Sequence, residues 1–158
     1  MSSINLVDYC PFTRFALYFG PVIFTLWRYV LLNKRVIFYS VPPISDLCAR
    51  VFCASQMINT SFEFINKRQH LKPFFYVNVM DIEQLQQQPF YIACTTEKIF
   101  ESKDHLYDLF VNDCQMCAVL NDSQKNLLKI NSADKKRYDI FLKKIRLTFN
   151  LININLVY

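Results

Sequence analysis

Glycine is almost missing from this chain: Gly20 stands alone among 158 residues. A Walker A loop, a G-x-G-x-x-G dinucleotide fingerprint and a G-x-S-x-G nucleophile elbow each need two or more glycines, either to reach positive φ or to let backbone approach a phosphate. P-loop nucleotide hydrolysis, Rossmann-type redox chemistry and standard α/β-hydrolase chemistry are therefore excluded. Histidine is nearly as scarce, with only His70 and His105, far apart in sequence. Cys114-Gln-Met-Cys117 is a lone C-x-x-C, and zinc wants two further ligands at comparable spacing. Neither a metal nor any other cofactor is expected. Asp81 and Glu83, two apart at a helix start, diverge, and no local motif assembles a nucleophile with a base and an orienting group. Covalent catalysis has no support.

Two more absences bear on location. Met1 to Asp8 lacks the charged region and apolar stretch of a signal peptide, so the six cysteines are expected as reduced residues in the cytosol rather than as a disulfide framework. Cys48, Cys53 and Cys94 sit in apolar runs and behave as small core hydrophobes. No apolar run reaches the roughly 20 residues of a membrane span. Phe15 to Trp27 carries no charge, but Gly20-Pro21 cuts it and Arg14 and Arg28 bracket it. A small membrane-attached protein using Phe15 to Leu32 is the alternative this run leaves open. Aromatic and basic residues do not interleave as single-strand nucleic-acid binders require, and no nucleic-acid partner is expected.

What the chain does have is apolar surface: 53% hydrophobic and 16% aromatic residues, against 20% charged. A chain of this length buries about two thirds of its unfolded surface in one domain, and this composition is rich enough that some apolar surface expects a partner. From Val22 to Leu32 only Thr25 and Arg28 are polar, the pattern of a buried helix. After Asn33, Lys34 and Arg35 the period changes to the β-branched and aromatic run Val36 to Tyr39, stopped by Pro42 and Pro43. That is a strand buried on both faces, as in a parallel sheet.

The rest of the chain continues the alternation. A short helix over Phe12 to Phe19 leads through Gly20 into a buried helix over Pro21 to Asn33, with Pro21 at its first position. A strand over Arg35 to Val41 is followed by a helix over about Asp46 to Met57, capped by Ser45. Asn59 to Leu71 is a polar surface connection, and Phe74 to Met80 is a second buried strand. Asp81 with Gln84 three residues on forms a capping box for a short helix. Phe90 to Cys94 is a third strand, and Thr95-Thr96 caps another short helix with Glu97 in its first turn. Strand, helix and strand in repetition imply parallel pairing. Leu106 to Val111 and Gln115 to Leu120 make an edge hairpin, and Leu127 to Ile130 a further short strand. Ser132 caps a final helix to Arg146 with an apolar stripe of Tyr138, Phe141, Leu142 and Ile145. It carries six basic residues against two acidic, most of the net charge of +5. Residues 1–146 are thus expected as one module. In the tail from Leu147 to Tyr158, Asn150, Asn153 and Asn155 interrupt β-branched residues, a sequence favouring neither helix nor packed strand and expected to be poorly ordered.

The stretch LWRYVLLNKRVIFYSVPP, Leu26 to Pro43, resembles the segment that opens the central module of DENN-domain proteins. That segment follows an L-W-(K/R)-φ-x-L-L-x-(K/R)-R-(I/V)-φ-φ-(F/Y)-S-x-P-P pattern. KPFFYVNVMDIEQL at Lys72 to Leu85, YIACTTEKIFESKDHLYDLFV at Tyr91 to Val111 and LLKINSADKKRY at Leu127 to Tyr138 recur in the same order, and resemble the LCHN type of the family. The resemblance covers about Phe12 to Phe141. It implies the central module alone, truncated at both ends, of a guanine-nucleotide exchange factor for Rab GTPases. It also implies a cytoplasmic location, peripheral on endomembranes. A non-catalytic adaptor of the same fold is the other reading.

Ligands and partners of a parallel sheet engage the loops beyond the C-terminal strand ends. Those loops begin at Ser40-Val-Pro42-Pro43, at Asp81 and at Thr95-Thr96-Glu97. With Asp46 they are the candidates for a Rab-facing groove. Each residue has a plainer role as well: Ser45, Asp81 and Thr96 as helix caps, and the prolines as strand stops. Lys34 and Arg35 fit as cations complementing a helix C-terminus, and Trp27 as core. The basic final helix is the candidate for peripheral membrane contact. The expected fold is α/β, a mostly parallel central sheet flanked by helices, with an edge β-hairpin and a basic C-terminal helix.

Overall fold

A computed structural model describes residues 11–59, 73–113, 115–118 and 129–155. They fall into two compact units. The larger, between Thr25 and Lys129, holds a five-stranded sheet of β1 (Val36–Tyr39), β2 (Pro73–Phe74), β3 (Ile92–Thr95), β4 (Leu109–Asn112) and β5 (Gln115–Ala118). The spatial order is β2-β3-β1-β4-β5. The first four strands run parallel and β5 pairs antiparallel with β4 at the edge. The α/β class, the parallel sheet and the edge hairpin all match expectation. Val36, Ile37 and Phe38 and all of β3 are inaccessible to solvent, as strands covered on both faces must be.

One face carries α3 (Ile44–Asn59), which packs against β1, β2 and β3 and buries Leu47, Val51 and Ala54. On the other, Ile37, Ala93 and Phe110 stand in register across three strands. They join Val77, Leu85, Tyr91, Phe100 and Leu106 in one buried cluster beneath α4 (Ile82–Gln86) and two 3-10 turns, Lys98–Ser102 and Asp104–Leu106. At about 1.5–3 kcal/mol for each large apolar side chain removed from water, this cluster is a large contribution to the larger unit's stability.

The lead-in α2 (Ile23–Leu31) ends in a backbone motif that runs into the dibasic joint. The Lys34 N–H donates to the Tyr29 carbonyl and the Asn33 N–H to that of Val30, with Asn33 at φ 50°. That is a Schellman stop with asparagine where glycine is usual. Arg35 then turns to a different partner. Its backbone N–H reaches Asp108 Oδ2 at 2.8 Å and its guanidinium reaches the same oxygen at 3.3 Å and the His105 carbonyl at 2.8 Å. Arg35 clamps the start of β1 to the start of β4, so its role as a helix-dipole cation is superseded.

The smaller unit comprises α1 (Pro11–Phe19), a 3-10 turn (Gly20–Val22), the first residues of α2 and α5 (Ser132–Asn155). Phe15, Ala16 and Phe19 are buried, with Phe15 and Phe19 rings edge to face at 5.0 Å. The Tyr138 hydroxyl donates to the Ala16 carbonyl at 3.4 Å. Gly20 sits at φ 59°, the one place where the lone glycine is needed.

Several boundaries differ from expectation. The second strand is Pro73–Phe74, two residues long, not Phe74 to Met80: the chain bends at Phe75, and Asn78 then starts a new turn. The helix expected to end at Arg146 continues through Asn155, so the asparagines of the tail do not break it. Ser132 does not cap that helix: Asn131 Oδ1 accepts the Asp134 N–H at 2.8 Å and Asp134 Oδ2 accepts the Asn131 N–H at 3.1 Å, a reciprocal box one residue earlier. Lys129 and Ile130 form no strand. Most of the connection from Asn59 to Leu71 lies outside the described residues, as do Leu127 and Leu128. No helix among the described residues is long and apolar enough to cross a membrane. The Phe15 to Leu32 run is divided between α1 and α2, nine residues each, about 13 Å apiece where a bilayer needs about 30 Å.

Candidate functional site

All eight candidate residues lie in the larger unit, at or beyond the C-terminal ends of β1, β2 and β3. Tyr39, the last residue of β1, is in register with Thr95 of β3, so the chain leaves both strands at the same level. Ser40 and the cis-linked Pro42-Pro43 follow Tyr39, and Asp46 lies exposed in the first turn of α3. Ser45 is also inside that helix, so it is not the residue before it that a cap must be.

The β2 and β3 exits are tied together. After Phe74 the chain stays beside β3 for three residues, until the Val77 N–H donates to the Cys94 carbonyl at 2.8 Å. Asn78 then caps the 3-10 turn Val79–Asp81: its side chain accepts the Met80 N–H at 2.8 Å while Asp81 Oδ2 accepts the Asn78 N–H at 2.9 Å. Asp81 is therefore the third member of a box opened by Asn78, not the cap paired with Gln84, and it makes no side-chain cap bond to α4. Glu97 Oε2 accepts the Val79 N–H at 3.0 Å, and Tyr76 and Thr96 hydroxyls are 3.4 Å apart. Thr95 is fully buried and its hydroxyl accepts the Glu97 N–H at 3.1 Å. Glu97 precedes the 3-10 turn Lys98–Ser102 without capping it by side chain.

The β2 exit is also tied to α3. The thiols of Cys48, on α3, and Cys94, on β3, both donate to the Phe75 carbonyl, at 3.1 Å and 2.8 Å. Burial pushes the Cys94 thiol up to about 12, and neighbouring Cys48 adds to the rise. It is a neutral, structural donor. Burial likewise holds the Tyr91 hydroxyl above its usual range, with Asp108 adding to this and Arg35 opposing it. That hydroxyl donates to the Leu106 carbonyl under the sheet.

What sequence reasoning missed is the rim around these loops. Val41, Phe75, Tyr76, Val79, Met80 and Ile99 are all exposed, Met80 to 86% and Val41 to 65%. They stand on the exits of β1, β2 and β3. The signal was hidden because Phe74 to Met80 has the composition of a buried strand. Only Asn78, with Asp81 three residues on, marks the turn that swings Val79 and Met80 outward. Among the described residues no cluster of three or more His, Cys, Asp or Glu side chains is arranged to hold a metal. The arrangement offers an apolar contact surface held by a hydrogen-bonded frame.

A sequence profile of the family described as DENN domain-containing protein 11 matches residues 5–120. The mouse protein of that description is 46% identical over 127 residues, 80% of this chain and 28% of the mouse protein. The zebrafish protein of the same description is 41% identical over 127 residues, 80% of this chain and 26% of the relative. Uncharacterized protein ANR2 of Saccharomyces cerevisiae is 30% identical over 115 residues, 68% of this chain and 22% of that protein. The chain thus spans under a third of the length of these curated relatives.

Proposed function

The chain belongs to the DENN domain-containing protein 11 family, and from that membership we propose that residues 1–146 act as the central module of a Rab guanine-nucleotide exchange factor. The observation that carries this reading is the exposed apolar rim at the C-terminal ends of β1, β2 and β3, braced by the Glu97 to Val79 bond. Exchange needs no covalent step: a factor that binds the nucleotide-free GTPase more tightly than the loaded one accelerates release by that difference alone. Roughly three to five decades of acceleration require about 4–7 kcal/mol of differential binding. An interface of that strength usually buries about 1,200 Å² or more. The proposal therefore assigns the rim only part of the GTPase-binding surface, and the chain by itself little or no exchange activity. The setting is cytoplasmic, with peripheral contact on endomembranes. Release of fluorescent GDP analogue across a Rab panel tests this: near-basal rates are expected for the chain alone, and robust turnover contradicts it.

A non-catalytic adaptor in membrane trafficking is favoured by one observation. Asp81 and Glu97, both rim carboxylates, already accept backbone N–H groups and so brace the loops rather than reach outward. An adaptor binds loaded and nucleotide-free GTPase alike, which separates the two readings.

A further inference from the structure

The outward face of α5 combines exposed aliphatic side chains with charges of one sign. At about 100° per residue, Asp134, Tyr138, Phe141, Leu142 and Ile145 share one side, where Asp134 and Tyr138 are buried and the other three partly so. The opposite side holds Lys136, Ile140, Lys143, Lys144 and Leu147, with Arg137 at its border. Ile140 is 54% exposed and Leu147 61%. They are seven residues apart, two turns and about 10 Å along the axis, and lie on nearly one line. All charges within about 60° of Ile140 are positive. Arg137 also lies 3.9 Å from Asp134, and Asp139 sits well to the side.

We propose that this face of α5 binds an anionic lipid bilayer, lying in the plane of its headgroups with Ile140 and Leu147 inserted and the cations around them on lipid phosphates. This deepens the peripheral-membrane part of the reading above and rests on a surface separate from the strand-exit rim. Three features select lipid over an acidic protein. The apolar residues are aliphatic and form a convex stripe, which a flat bilayer receives without a complementary groove. Three of the four cations on the face are lysines, point charges on long stems that reach scattered phosphates, not planar forks fixed to one carboxylate. Finally, Lys136 and Lys143 on one side and Lys144 on the other border Ile140 and Leu147, so cations flank the inserted side chains where lipid phosphates would lie. The profile match ends at residue 120, so α5 lies beyond it.

Cosedimentation of the full chain with phosphatidylcholine vesicles, with and without about 30 mol% phosphatidylserine, tests the proposal. Binding at least tenfold stronger to the anionic vesicles is expected, weakening with added salt. Lys136→Glu with Lys143→Glu removes that difference, and Ile140→Ser lowers binding severalfold while helix content by circular dichroism is unchanged. Equal partition to both vesicles, no binding to either, or wild-type binding by the charge-reversed variant overturns it. Hydrogen exchange of α5 in the unmodified chain is the second readout: protection on adding anionic vesicles supports the proposal, and no change refutes it. Neither outcome moves with GTPase binding at the rim, so the two readings fail separately.

Discussion

Asn33 and Asp113 hold backbone positions that favour glycine, both at φ 50°, which is how a chain with one glycine still makes its sharp turns. Asparagine and aspartate tolerate this region because a short polar side chain relieves the crowding that a β-branched one cannot. Replacing Asn33 with valine should lower stability by about 1–3 kcal/mol, while Asn33→Gly should stay within about 0.5 kcal/mol of wild type. Urea denaturation of both variants checks the pair, and equal stabilities contradict the Schellman account. Cys94 gives a second residue-scale expectation. Its thiol ordinarily titrates at 9.0, and in the folded chain burial raises it to about 12. The folded state therefore holds the proton more tightly than the unfolded state. The resulting stabilisation is complete below pH 9 and is lost between pH 9 and about pH 12. The urea midpoint should fall across that window, and Cys94→Ala should flatten the fall; an unchanged slope in the variant removes Cys94 as its source.

At the scale of elements, period and punctuation made the frame legible. Val36 to Tyr39 reads as a two-face-buried strand because every residue in it is β-branched or aromatic, and three of its four residues are fully buried. The hairpin reads from Asn112-Asp113, and the lead-in helix from its nearly all-apolar circumference. Two of the places where reading fails share one cause. In Asn78-Val-Met-Asp81 and Asn131-Ser-Ala-Asp134 an N-x-x-D box starts the turn, whereas the local pattern points to its last residue, Asp81, as the cap in the first and to its second, Ser132, in the other. The misplaced start at Asn78 concealed the exposed Val79 and Met80. Arg35 escapes local reading for a different reason: Asp108 is 73 residues away in sequence, and no local pattern announces that pairing. If the box and the Glu97 bond frame the rim, Asn78→Ala costs about 1 kcal/mol. Glu97→Ala should also speed hydrogen exchange at the Val79 amide by removing its acceptor, and an unaltered exchange rate there argues against the brace.

For the whole molecule, the fold supplies a parallel sheet whose strand exits present apolar side chains on a hydrogen-bonded frame, and the partner proposed for it is a Rab GTPase. The chain spans 28% of the mouse relative, so the partial surface is expected to bind weakly and to discriminate between GTPase states more than it accelerates exchange. The direct measurement is equilibrium binding of the chain to nucleotide-free and GDP-loaded members of a Rab panel, with Met80→Glu as the rim variant. The account predicts at least tenfold preference for one nucleotide-free Rab, lost on placing a carboxylate at Met80. Equal affinity for both nucleotide states, or a preference that survives Met80→Glu unchanged, contradicts it.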